Sequence, residues 1–152
     1  MSDTDLIKLY SGRILELAAD VPHTGRLAGA QGSSKRRSPL CGSTVTVDVA
    51  LDGGRVADFA QDVRACALGQ AAAAVMGHAL IGRNLAEIEA GRDALRAMLK
   101  EGGPVPPAPF DGFEVLMPAR DYKNRHASIL LAMEAAAEAV AQAEAGAAAA
   151  QG

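Results

Sequence analysis

Two cysteines occupy unlike settings in this chain. Cys41 sits in Ser38-Pro39-Leu40-Cys41-Gly42-Ser43-Thr44, a turn feeding a strand, and Cys66 stands 25 residues later before Ala67-Leu68-Gly69-Gln70, where it opens a helix. A thiol at a helix N-terminus meets the positive end of the helix dipole and unpaired backbone N–H groups, which favour thiolate, the form that binds metal and accepts sulfur. His126 adds an imidazole, and thiolate with imidazole is the donor set that iron and zinc prefer. The spacing lacks the close Cys-x-x-Cys pairs of ribbon-type zinc sites, so two readings stand: a shared metal site, or two thiols with a surface histidine. For His126 the choice is between ligand or proton donor and a solvated residue at a helix start. Ser43 can hydrogen-bond a sulfide or coordinate weakly, or it can satisfy backbone groups at a strand entrance. His23, after Pro22, and His78, in an Ala-rich helix, read as structural, and Asp62 and Arg64 as exposed residues at a strand end.

These residues need elements to hold them. Val45, Val47, Val49 and Leu51 alternate with Thr44, Thr46, Asp48 and Ala50, which predicts a strand with one buried face. Asp52-Gly53-Gly54 supplies a tight turn, and Arg55 to Val63 returns as the antiparallel partner, with Ala57, Phe59 and Val63 facing the same core. The ends of that hairpin run back to one edge, so Cys41 and Cys66 can meet. Lys35 to Ser38 reads as an added edge strand. Apolar residues from Leu6 to Ala18 recur at helical spacing after Ser2, Asp3 and Thr4, predicting an N-terminal helix to about Ala19, followed by a loop from His23 to Ser34. Cys66 to about Ile81 reads as a helix stopped by Gly82. Asn84 with Glu87 opens another helix to about Lys100. A Pro-rich connector and a short helix from Phe110 to Met117 follow. The last helix starts between Asp121 and Arg125 and runs past Val140. The fold class is α+β: a small antiparallel sheet of two to three strands covered by helices. Residues 1–144 form one domain, with 145–152 a fraying Ala-rich tail.

Composition narrows the function. At 152 residues with a net charge of −3, no Trp, two Tyr and three Phe, the chain has neither the charge nor the stacking platforms of a nucleic-acid binder. The basic run Lys35-Arg36-Arg37 reads as a solvated strand edge in preference to a docking patch. Asp3 and Asp5 do not fit a secretory signal, and no apolar stretch reaches the length of a membrane span, so the expected address is cytoplasmic and the expected partners exclude membrane. Two cysteines in a reducing compartment suit thiols, metal ligands or transient redox partners better than a structural disulfide. No Gly-x-Ser-x-Gly, P-loop or Gly-x-Gly-x-x-Gly motif is present, and no enzyme activity is expected.

The Cys-Gly turn, the hairpin Thr44 to Val63, the cysteine opening an Ala-rich helix, and the late segments Pro118-Ala119-Arg120 and Arg125-His126-Ala127-Ser128-Ile129-Leu130 together resemble the iron-sulfur cluster assembly scaffolds of the IscU, NifU N-terminal and SufU family. The aspartate of the family's Cys-Gly-Asp is Ser43 here. The place of the family's third cysteine reads as Ala127, with His126 before it. Within the family the connector from Gly102 to Pro109, and Leu116-Met117-Pro118-Ala119-Arg120 in place of a Leu-Pro-Pro-Val-Lys chaperone segment, are closer to the SufU branch.

The resemblance implies a scaffold or sulfur acceptor that takes persulfide sulfur from a cysteine desulfurase, joins it with iron, and passes a labile 2Fe-2S cluster to apo iron-sulfur proteins. It implies Cys41, Cys66 and Ser43 at the cluster, with Cys41, Cys66 and His126 as metal ligands, iron or the cluster as transient cargo with zinc possible, and a monomer or weak homo-oligomer. The alternative is an interaction protein that keeps the scaffold fold and binds zinc or no metal. A second alternative is a thiol redox sensor in which the two cysteines join.

Overall fold

The valine alternation builds the element on which the rest is laid. In a computed structural model that describes residues 10–39 and 42–151, β2 (Thr44–Asp52) pairs antiparallel with β3 (Arg55–Arg64) through a Gly53-Gly54 turn with φ of 59° and 79°. β1 (Gly32–Arg37) adds to the other edge of β2, giving the order β1-β2-β3. Val45, Val47 and Val49 are fully buried on one face with Phe59 and Val56. Val56, and not Ala57, completes that face. A bulge between Ala50 and Leu51 inserts one residue into β3, so Leu51 pairs with Val56 and Ala57 turns outward.

The edge strand starts at Gly32, earlier than the basic run suggests. A long helix, α4 (Lys123–Gln151), lies across β1 and β2, and a side chain at residue 32 would collide with the Ala139 carbonyl. Glycine is what lets strand and helix touch there. On α4, Leu130, Met133, Ala137 and Val140 are buried as the apolar pattern predicts. The helix continues through the Ala-rich segment to Gln151, with Ala145 to Ala148 exposed.

α2 (Ala67–Ala79) packs on α4 and on α1 (Gly12–Ala19). Its Ala71 to Ala74 are all fully buried, a row of small side chains that permits close helix approach. Within the described residues, the helix that ends at Ala19 as expected starts at Gly12, where the Ser11 side chain accepts the Ile14 N–H and caps it. The expected helix over Leu6 to Leu9, with caps at Ser2 to Thr4, lies outside the described residues, as do Leu40 and Cys41. α3 (Leu85–Lys100) carries the expected capping box: Glu87 N–H donates to the Asn84 side chain at 2.9 Å and Asn84 N–H donates to the Glu87 carboxylate at 3.1 Å. After the connector, a 3-10 stretch runs from Asp111 to Asp121, longer than the helix expected to end at Met117. Among the described residues no helix is long and apolar enough to cross a membrane.

The segment from His23 to Ser34 is tied to the sheet at two places. His23 stacks on Phe59 with centroids 4.3 Å apart, and Thr24 bridges Gln61 on the outer edge of β3. Arg26 then crosses to Asp48, donating through Nε at 2.7 Å and Nη2 at 3.1 Å, while Leu27 N–H and the Ser33 hydroxyl donate to the same carboxylate. Asp48 is 2% exposed, and the Arg26 hydrogen bonds, aided by Ser33 and Leu27, lower its pKa to about 2. An unfolded aspartate titrates near about 3.9, so this contribution is complete above that value and is lost as pH falls from about 4 towards 2. Asp48→Asn should therefore lower stability near neutral pH and flatten the acid-unfolding profile between about pH 4 and 2. Urea midpoints across that window check this, and parallel profiles for the two proteins would refute it.

Candidate functional site

Register brings the site together. Thr44 and Arg64 are the last pair of the β2–β3 ladder, so the segment entering β2 and the segment leaving β3 lie side by side. On the entering side, Ser38 N–H donates to the Ser43 carbonyl at 2.8 Å and Gly42 N–H donates to the Ser38 carbonyl at 3.0 Å. Gly42 has φ of 72°, a conformation that suits glycine and turns the chain sharply into the strand. The Ser38 hydroxyl is buried without a hydrogen-bond partner among the described residues. On the leaving side, Cys66 is the N-cap of α2, extended at φ −66° and ψ 171°, and its carbonyl accepts the Gln70 N–H. Its side chain caps nothing. The half-buried sulfur sits at the helix end where partial positive charge gathers.

The partner of that sulfur comes from α4. Cys66 Sγ lies 3.5 Å from Ser128 Oγ, and the Ser128 hydroxyl donates onward to Ser43 Oγ at 3.3 Å. Thiol and two hydroxyls thus form one continuous chain from α2 through α4 to the entrance of β2. Ser43 and Ser128 are 5% and 2% exposed, so water competes little for these contacts. The approach of the two helices depends on Gly69, one turn into α2. A Cβ there would stand 2.8 Å from Ser128 Oγ and 2.8 Å from Ala65 Cβ, closer than real methyl groups sit.

Of the residues singled out by sequence, Cys66 and Ser43 are brought together through Ser128. Cys41 lies outside the described residues. His126 takes a different position. It is 2% exposed, and its Nε2 lies 2.9 Å from the Ala119 carbonyl and 3.1 Å from the Arg120 carbonyl. Both partners accept, so Nε2 carries the proton and Nδ1 is the nitrogen left for any ligand. His126 precedes Ser128 by two residues, about 200° around the helix axis. It is therefore turned away from the face that meets Cys66, and it ties the end of the 3-10 stretch to α4.

Where the sequence reading puts the third thiolate position at Ala127, the side chain turned onto Cys66 is that of Ser128. The signal was a hydroxyl standing in the apolar run Ala127 to Met133, opposite a glycine in the facing helix. Among the described residues no three His, Cys, Asp or Glu side chains cluster closely enough to hold a metal ion. The oxygens facing the sulfur are neutral hydroxyls, which donate and accept hydrogen bonds but bind metals weakly beside thiolate or carboxylate.

Residues 9–147 match the model of the NifU-like N terminal domain. The crystal structure of a nitrogen-fixing NifU-like protein (N-terminal) from Brucella abortus is 45% identical in sequence, with a TM-score of 0.90 over 93% of this chain and 98% of that one. A candidate iron-sulfur cluster assembly scaffold protein for the SUF system from Fervidobacterium islandicum superposes with a TM-score of 0.78 over 88% of this chain and 98% of that one. At 21% identity the second likeness speaks for the fold alone. No curated protein matches the chain.

The helix contact at Gly69 is open to a direct test. Alanine there gains about 1 kcal/mol of helix propensity, whereas overpacking a tight contact costs about 1–3 kcal/mol. Gly69→Val adds bulk without that gain and should lower stability by about 2 kcal/mol or more, with faster alkylation of Cys66 as α2 and α4 part. Urea denaturation and thiol-modification rates read the two effects. A wild-type midpoint with a wild-type rate would exclude the close approach.

Proposed function

The chain belongs to the NifU-like N-terminal domain family, and from that membership we propose that it is a sulfur-acceptor and scaffold protein of iron-sulfur cluster assembly, without catalytic turnover of its own. The observation that carries the reading is the sulfur of Cys66, held half-buried at the start of α2 with the Ser128–Ser43 hydroxyl chain beside it. The work is done within one domain over residues 1–144 in the cytoplasm, and the partners are a cysteine desulfurase and apo iron-sulfur proteins.

Sulfur enters by exchange. The Cys66 thiolate attacks the terminal sulfur of the donor's persulfide; the donor's S–S bond breaks as a new one forms on Cys66, and the donor cysteine leaves as thiolate. Electrons balance with no added oxidant. While Ser128 donates its one proton to Ser43, its oxygen can accept from the Cys66 S–H; once Cys66 is a thiolate, the Ser128 hydroxyl can instead turn that proton onto the sulfur. A two-electron donor such as an external thiol pair or ferredoxin-type reductant then reduces the persulfide's outer sulfur to sulfide and regenerates the Cys66 thiolate. Iron and sulfide are cargo, taken by the thiolates of Cys41 and Cys66, with the hydroxyls of Ser43 and Ser128 completing a weak set and His126 available only through Nδ1. Weak oxygen ligands favour release, as a protein that passes a cluster on requires.

A second reading is supported by positions 43 and 127. With the Ser43 hydroxyl where the family pattern has a carboxylate, and Ala127 where it has a third thiolate, the chain could keep the scaffold's surface and hold zinc or no metal. Anaerobic reconstitution with iron and sulfide separates the two. The scaffold reading expects coloured protein with acid-labile sulfide, lost in Cys66→Ala and Cys41→Ala while far-UV circular dichroism is kept. Tight zinc without sulfide would establish the adaptor. Ser128→Cys should lengthen cluster lifetime severalfold, because thiolate outranks hydroxyl as an iron ligand, whereas Ala127→Cys should not. The reverse ranking would show that Ser128 does not face the cargo.

A further inference from the structure

The basic run Lys35-Arg36-Arg37 does not act as one unit. Arg36 points to the α4 side of the sheet, where it pairs with Glu138 at 3.0 Å and Glu134 at 3.9 Å. Lys35 and Arg37 pair across the sheet with Thr46 and Thr44 and so share the opposite, outer face, since alternate residues of a strand point to opposite sides. Arg64, paired with Thr44, joins them there, and Arg26 reaches the same face through Asp48.

A polar cleft of about 360 Å³ lies on this face, bounded by Arg26, Lys35, Thr44, Thr46, Asp62 and Arg64. Its charge runs against that of the whole molecule. Arg26, Lys35 and Arg64 line the cleft with Asp62, Asp48 lies under Arg26, and Arg37 stands beside the cleft on the same face. Among the described residues at this end of the sheet four cations meet two carboxylates, in a chain of net −3, with Asp58 further along towards the turn. Arg64 is 79% exposed and pairs with Asp62 only at 3.6 Å, so its charge is little spent at home. The excess lies at the end of the sheet where the chain passes from Arg64 to Cys66.

We propose that this outer sheet face is a docking surface for an acidic protein segment, and that it steers the partner that exchanges sulfur with Cys66. The identity of the exchange rests on the function proposed above; the docking does not. Charge complementarity selects the occupant. Long exposed cations with threonine hydroxyls between them offer carboxylate side chains both charge and hydrogen bonds. A nucleic acid would want stacking platforms, and no aromatic residue bounds the cleft.

The experiment uses the full chain with Cys41→Ser, so that Cys66 is the only thiol, and free of iron and sulfide. Two octapeptides, one of alternating Glu and Asp and one of alternating Lys and Arg, each carry a terminal cysteine activated as a mixed disulfide with thionitrobenzoate. At low salt the acidic peptide should react with Cys66 about 10-fold faster than the basic one, within the range that steering supplies. The ratio should fall towards unity at high salt, where screening shortens the field to about 3 Å at 1 M. Lys35→Glu with Arg64→Glu should abolish or invert the preference, the single neutral variants Lys35→Gln and Arg37→Gln should each reduce it, and Arg36→Gln should leave it unchanged. Equal rates for the two peptides, a preference that survives the double reversal, or tighter binding of an oligothymidylate than of the acidic peptide would overturn the proposal. Since no cluster is present, failure here and failure of cluster assembly are separate results.

Discussion

The approach of α2 to α4 at Gly69 is the constraint on which the site depends. Cys66 is fixed by being the last residue before α2, and Ser128 by its place on α4; only the distance between the two helices decides whether sulfur and hydroxyl meet. The glycine and the neighbouring Ala65 leave room for that distance, and the buried alanines from Ala71 to Ala74 keep the helices close further along. Packing of small side chains here does more than fill a core. It sets a contact of 3.5 Å between a thiol and a hydroxyl that are 62 residues apart.

The sheet supplies the other half of the geometry. An antiparallel hairpin returns its ends to one edge, and the Thr44–Arg64 pair places Ser43 beside the segment that leads to Cys66. The bulge between Ala50 and Leu51 lies at the far end, so it changes which residues of β3 face the core near the turn without disturbing register at the site. Sheet and helix pair are independent supports that converge on one sulfur, and α4 joins them by packing on both.

Much of this was legible in the residues. Alternating valines, the Gly-Gly turn and the Asn84–Glu87 box each obey a local rule, and the elements they specify are where the rules put them. What escaped the sequence were features set by contacts between distant segments. Val56 replaces Ala57 in the core because of a bulge, and the edge strand begins at Gly32, where α4 lies over it. At the site, Cys66 and Ser43 were readable from a Cys-Gly turn and a helix start. Ser128 was not, since a serine in an apolar run acquires meaning only when a thiol is found opposite. His126 was readable as a chemical group, but its burial and its bonds to the Ala119 and Arg120 carbonyls are tertiary facts.

The serines also bear on the electrostatics around the sulfur. An aspartate at position 43 would add a negative charge next to the strand end that carries Arg37, Thr44 and Arg64, and would neutralise part of the cationic face. A hydroxyl there satisfies hydrogen bonds and leaves the charge excess intact. Asp48, the one carboxylate buried on that face, is matched by Arg26 and so holds the guanidinium over the sheet at little cost to the field. On the function and docking surface proposed above, a hydroxyl at position 43 would be a weaker ligand than a carboxylate and would leave the cationic face its full charge, so loose retention of cargo and attraction of an acidic partner would follow from the same residue.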